Sequence, residues 1–155
     1  MKTSQRRNLC AWLLIAALAF NMSCDDDDEQ TMDPTLYTRL GGIDAISAVT
    51  DKFLTNVASD NVINSRFEAT VSNPSRLQLL RNNLIDQICA GSGGPCQYKG
   101  KTMLEAHTGM NITADEFNAL VGDLVAALDF YDVPEQEKND LLNILGPMQS
   151  DIVGK

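Results

Sequence analysis

From Ile43 onward, apolar side chains recur at every third or fourth position in stretch after stretch, and nowhere do they alternate. Ile43, Ile46, Val49, Phe53 and Val57 form one such series; Phe117, Leu120, Val121, Leu124, Val125 and Leu128 form another. A period between three and four lays a continuous apolar stripe along one face of an α-helix, whereas it would scatter the same residues over both faces of a strand. The chain is therefore expected to be all-α, with no sheet and no internal repeat.

Boundary residues divide the pattern. Asp33-Pro34 predicts a cap and a first helical position for a short opening helix through Leu36, Tyr37 and Leu40, ended by Gly41-Gly42. Asp60 to Asn64 interrupts the second helix, and Phe67 falls in a short connection. Asn73-Pro74 opens a helix with Leu77, Leu80, Leu84, Ile85 and Ile88 on one face, and Gly91, Gly93, Gly94 and Pro95 stop it. A loop through Tyr98 and Gly100 leads to Met103, Leu104 and His107, a segment too short to be stable unless it docks on something. Thr113 with Glu116 predicts a capping box for the long helix beginning at Phe117's stripe. A last helix near Pro134 buries Leu141, Leu142, Leu145 and Ile152, with a kink at Gly146-Pro147.

The first 30 residues are of another kind. Lys2, Arg6 and Arg7 precede an unbroken apolar run of 12 residues from Leu9 to Phe20, and Ser23-Cys24 follows in a small-residue neighbourhood. This is the layout of a secretory signal peptide, and it falls short of the roughly 17 to 25 residues that span a bilayer. Cys24 stands where a bacterial lipoprotein signal is cut and acylated, and Asp25-Asp26-Asp27-Asp28-Glu29 comes directly after, so the segment resembles a lipoprotein leader. Asn21 occupies a position that is usually aliphatic in such leaders, which leaves plain secretion as the alternative. The expected organisation is a signal peptide over 1–23, an acidic flexible tether over 24–33 and a globular domain over 34–155. The product is expected to be exported to the bacterial periplasm or cell surface and held to the membrane by a lipid on Cys24 alone.

Charge narrows the partners. With 12 Lys+Arg against 21 Asp+Glu the net charge is -9, and removing residues 1–23 takes away three basic groups and no acidic ones, deepening it to -12. A polyanionic nucleic acid is disfavoured by sign, and an anionic bilayer would repel the domain. Four cysteines sort by place: Cys10 in the signal, Cys24 at the cleavage site, Cys89 and Cys96 in the domain. The last two either form a disulfide, worth roughly 2 to 3 kcal/mol for so short a loop, or remain buried free thiols. Their spacing, with no second Cys or His pair nearby, is poor for zinc.

His107 is the only histidine, on a weakly autonomous helix between a glycine-rich hinge and a capped helix. A solitary histidine is most often a surface or satisfied core residue, but this placement suits presenting one imidazole nitrogen to a bound group. The order of segments carries more. Leu36-Tyr37-Thr38-Arg39-Leu40-Gly41-Gly42, then Gly93-Gly94-Pro95 with Tyr98-Lys99-Gly100, then Met103-Leu104-Glu105-Ala106-His107-Thr108-Gly109 with Ile112-Thr113, resembles the group 1 truncated haemoglobins from Leu36 to Val153.

That resemblance implies a truncated globin fold, a two-over-two helical sandwich around haem b (iron protoporphyrin IX), with His107 as the axial metal ligand on the proximal side. It implies that Phe67 packs on the porphyrin edge and that Phe53, Leu54, Leu80, Leu84, Tyr98 and Met103 contribute to the cofactor pocket. The glycines would let the chain swing sharply beneath the haem. Arg76, Lys99 and Lys101 flank the expected mouth and are candidates for pairing with propionates, with plain solvation as the competing account. Tyr98 either adds a hydrogen bond there or covers the pocket edge.

On the distal side the chain departs from the family pattern. Leu54 stands where a tyrosine is common, and Leu80 and Leu84 where glutamines are. A diatomic ligand that takes on partial negative charge gains from a hydrogen-bond donor, so these leucines predict fast oxygen release and a relative preference for CO or NO. Asn83 and Gln87 could supply a donor if the helix rotates slightly, or face solvent. Met110 is a conceivable sixth ligand, although the resemblance puts it on the proximal side.

Two functions follow. The first is a haem protein binding O2, NO or CO at a five-coordinate iron, for oxygen transport, storage or sensing, or for NO dioxygenation with an unidentified reductase. Dioxygenation needs a long-lived oxygen complex, which the missing donors disfavour. The alternative is a haem-free helical lipoprotein that binds an apolar ligand or partner and makes His107 incidental.

Overall fold

The computed structural model describes residues 33–155. The signal-like head, Cys10, Cys24 and the acidic run lie outside the described residues.

Helix α1 (Leu36–Arg39) is capped by Thr35, whose Oγ1 accepts the Thr38 N–H at 3.3 Å. The cap expected at Asp33 is thus displaced two residues, leaving Pro34 outside the helix. Docking holds this single turn in place: Tyr37 N–H donates to Ser92 O at 2.8 Å, and Arg39 pairs with Glu137 at 3.0 Å and with Asp140.

Helix α2 (Gly42–Ser59) buries Ile46, Val49, Thr50, Phe53 and Val57, while Ile43, first in the predicted stripe, stays exposed. Helix α3 (Asn64–Val71) stands where the sequence predicts a connection around Phe67. It has eight residues and buries none of them fully, so it carries no stripe to read.

Helix α4 (Pro74–Gly91) begins as expected: Asn73 Oδ1 accepts the N–H groups of Ser75 and Arg76, both at 3.1 Å, with Pro74 at the first position. Its face buries Ile85, Ile88 and Cys89 and half-buries Leu77, Leu80 and Leu84. Arg81 grips both oxygens of Asp51 across the α2–α4 contact, and this hydrogen bonding holds the Asp51 carboxyl below its ordinary range.

After α5 (Met103–His107), the long helix α6 (Ala114–Phe130) carries the predicted capping box, with Glu116 N–H on Thr113 Oγ1 at 3.2 Å and Thr113 N–H on Glu116 Oε2 at 2.8 Å. Helix α7 (Glu135–Leu145) passes into a 3-10 turn (Gly146–Met148) and then α8 (Gln149–Ile152). The expected kink is therefore a change of helix type, because Pro147 cannot donate to the ladder.

Helix α2 is the hub, lying along both α4 and α6, while α7 returns against α1, in a two-over-two arrangement. Val57, Ile63, Leu128, Leu141 and Cys89 are almost fully sealed in the shared core. The chain end folds back on the loop after α5: Gly154 N–H donates to Ile112 O at 2.9 Å and Asn111 N–H to Lys155 O at 2.6 Å.

Candidate functional site around His107

His107 closes α5, half-buried, and its Nδ1 lies 2.8 Å from Met103 O, one turn back. A carbonyl only accepts, so Nδ1 carries a proton, and in the neutral imidazole tautomer that this selects Nε2 is the acceptor nitrogen. This second hydrogen bond also sets the rotation of the ring, which is how metal-binding imidazoles are oriented.

A five-residue helix needs help to exist. Thr102 and Glu105 supply a capping box that sequence reading overlooked, with Glu105 N–H on Thr102 Oγ1 at 3.2 Å and Thr102 N–H on Glu105 Oε2 at 3.0 Å. The hydrogen bond from the Thr102 hydroxyl, then that from its N–H, holds the Glu105 carboxyl below the ordinary glutamate range. The Thr-x-x-Glu spacing was the available signal.

The preceding loop is fixed at its start. Cys89 and Cys96 are joined in a disulfide, so of the two sequence alternatives the bonded one holds. Gly93 takes a left-handed φ of 83°, and a Cβ on Gly94 would stand 2.7 Å from Cys89 Sγ and 2.4 Å from the Tyr37 ring, so only glycine fits. Tyr98, half-buried, donates its hydroxyl to Lys101 O at 2.7 Å, and burial raises its pKa. Its proton is thus committed within the loop. Lys99, Lys101 and Arg76 are exposed, and among the described residues none of the three makes an ion pair.

The following loop is clamped from α3. Arg66 binds Glu116 through Nε at 2.7 Å and Nη2 at 3.2 Å, and donates from Nη1 to Met110 O at 3.0 Å. Arg66, then the Thr113 N–H, lowers the Glu116 pKa from 4.5 to about 2. Met110 lies three residues beyond His107 in the chain, 37% exposed and with its carbonyl engaged by Arg66.

Among the residues expected to line the pocket, Leu54, Phe67, Leu80, Leu84 and Met103 are half-buried, and Leu54, Phe67 and Leu84 lean on the core. Phe53 is a core residue, 7% exposed. Asn83 is half-buried. Gln87 faces neither solvent nor the leucines alone, because its Nε2 meets Met148 Sδ at 3.1 Å and Met103 Sδ at 3.7 Å.

His107 uses only Nδ1 in a hydrogen bond, and α2, α3 and α4 each carry a half-buried apolar side chain from the expected pocket, a residue set that suits a flat apolar group with one coordination position to fill. Among the described residues no three His, Cys, Asp or Glu converge as a closed metal site would require.

Residues 35–153 match the sequence model of the bacterial-like globin family, and the chain belongs to that family. Its relatives are group 1 truncated haemoglobins. That of Tetrahymena thermophila is 30% identical over 122 residues, covering 79% of this chain and 97% of the relative. That of Mycolicibacterium paratuberculosis is 29% identical over 118 residues, covering 76% and 83%. The crystal structure of truncated haemoglobin from Tetrahymena pyriformis, in its Fe(III) form, superposes with a TM-score of 0.72 at 30% identity, covering 79% of this chain and all of that one.

Proposed function

We infer that this chain is a haem globin that binds a diatomic gas, with His107 as its only protein ligand to iron. The observation that carries the reading is the Nδ1–H bond to Met103 O, which leaves Nε2 free on a half-buried ring at the family's ligand position. Haem b would be held by His107 and would supply an iron atom able to bind the gas. Leu54, Leu80 and Leu84 would offer the gas no donor, which would favour CO and NO over a long-held O2 and makes carriage or sensing a better reading than NO dioxygenation. Phe67 would pack on the porphyrin edge, and Arg76, Lys99 and Lys101, all exposed, would pair with the propionates. Any turnover needs a reductase.

Export through residues 1–23 and a lipid on Cys24 belong to the same reading, and the Cys89–Cys96 bridge supports an oxidising compartment. The domain then spans 34–155 behind an acidic tether. Purified protein supplied with haem should show a Soret band. A colourless product after loading would favour the apolar-ligand lipoprotein instead. Radiolabelled palmitate should enter the wild type and not Cys24→Ser; equal labelling would remove the anchor.

A further inference from the structure

Gln87, near the end of α4, aims its side-chain amide at two sulfurs, donating to Met148 Sδ at 3.1 Å and standing 3.7 Å from Met103 Sδ. Met148 ends the 3-10 turn that feeds α8, and Met103 opens α5. Among the described residues, no other side chain outside the Thr102–Thr108 segment hydrogen-bonds to α5. One amide thus joins α4 to both short elements beneath it.

Met103 is also the residue whose carbonyl takes the His107 proton. The two interactions share a single residue, so a shift of Met103 toward or away from α4 turns the imidazole with it. Thioether sulfur is a weak acceptor, and each contact alone is small. Yet α5 buries no residue fully and packs mainly against α8, so its side-chain ties to α4 are few and each one counts. Its own capping box fixes where the helix begins but leaves the tilt against α4 open.

We propose that Gln87 is a positioning residue for His107, setting the tilt of α5 and through it the direction of Nε2. Its consequence for the cofactor rests on the haem reading above; its geometry does not. The Met103 and Met148 sulfurs select a donor here, and an amide N–H is the neutral group that reaches both.

Two variants test this. Gln87→Glu keeps the length but presents only acceptors at neutral pH, and Gln87→Met keeps the apolar reach with no donor. In haem-loaded ferrous protein, the iron–imidazole stretching band in resonance Raman should shift in both, and haem transfer to excess apomyoglobin should quicken roughly tenfold. In the full chain without haem, nitrogen-15 NMR of the sole histidine should show the Nδ1–H tautomer in the wild type and a rising share of Nε2–H in the variants. Circular dichroism and melting temperature establish that each variant is folded. Wild-type band, transfer rate and tautomer in both variants would overturn the proposal. Failure of the wild type to take up haem would sink the functional reading instead, and the tautomer comparison would then decide Gln87's role by itself.

Discussion

The segment carrying His107 and the paired helices α2 and α4 are held by different means. Helices α2 and α4 run 18 residues each and bury Ile46, Val49, Phe53, Val57, Ile85, Ile88 and Cys89 against their neighbours. Residues 102–116 bury none but hold position through local polar bonds: two capping boxes, the imidazole on Met103 O, and the Arg66 clamp. A buried apolar side chain contributes about 2 to 5 kcal/mol, whereas a single polar tie contributes about 1 kcal/mol, so the His107 segment has far less holding it than the paired helices. The His107 side should therefore respond to point changes, redox state and pH, and the leucine side chiefly to what is added to it.

The largest effect expected is on haem retention. His107→Gly removes the proposed ligand and should abolish the Soret band; retention of an unshifted band would end the distinction between the two sides. Next is the bridge at the foot of the proximal loop. Reducing Cys89–Cys96 should cost about 2.5 kcal/mol and lower the melting temperature by about 10 °C, seen by calorimetry with and without reductant. Equal melting would mean that the loop is held by Gly94's close contacts alone.

On the leucine side, Leu54→Tyr adds a donor where none exists. A net bond of about 1.4 kcal/mol slows oxygen dissociation roughly tenfold by stopped flow. An unchanged rate would show that residue 54 does not reach the gas.

The smallest effect is in acid. Glu116's folded pKa of about 2 lies below its ordinary 4.5, so its contribution is full above the higher value and disappears as pH falls through the lower one. Acid titration of stability should therefore be shallower for Glu116→Gln between those limits, and parallel curves would show that the exposed clamp contributes nothing measurable.

What the sequence discloses follows the same division. Helix α6 was legible because its stripe and its Thr113–Glu116 box both lie within a turn or two of each other. The Asn73-Pro74 start was legible for the same reason. Helix α3 was not, having no fully buried residue to make a period. The Arg66–Glu116 pair joins residues 50 apart, and no spacing rule connects them. The Gln87 contact with Met148 was not legible because stripe arithmetic fixes a helix face only to within about one residue, too coarse to separate a solvent-facing amide from one on a distant methionine. His107 was legible because it is the only histidine, but the bond fixing its tautomer required knowing that Met103 lies one helical turn behind it.

The backward fold of the last residues has a practical side. Gly154 and Lys155 are tied to Ile112 and Asn111, five and four positions beyond the histidine. A purification handle fused after Lys155 would tug on the floor beneath the imidazole, and spectra of such a fusion would report the handle as well as the globin.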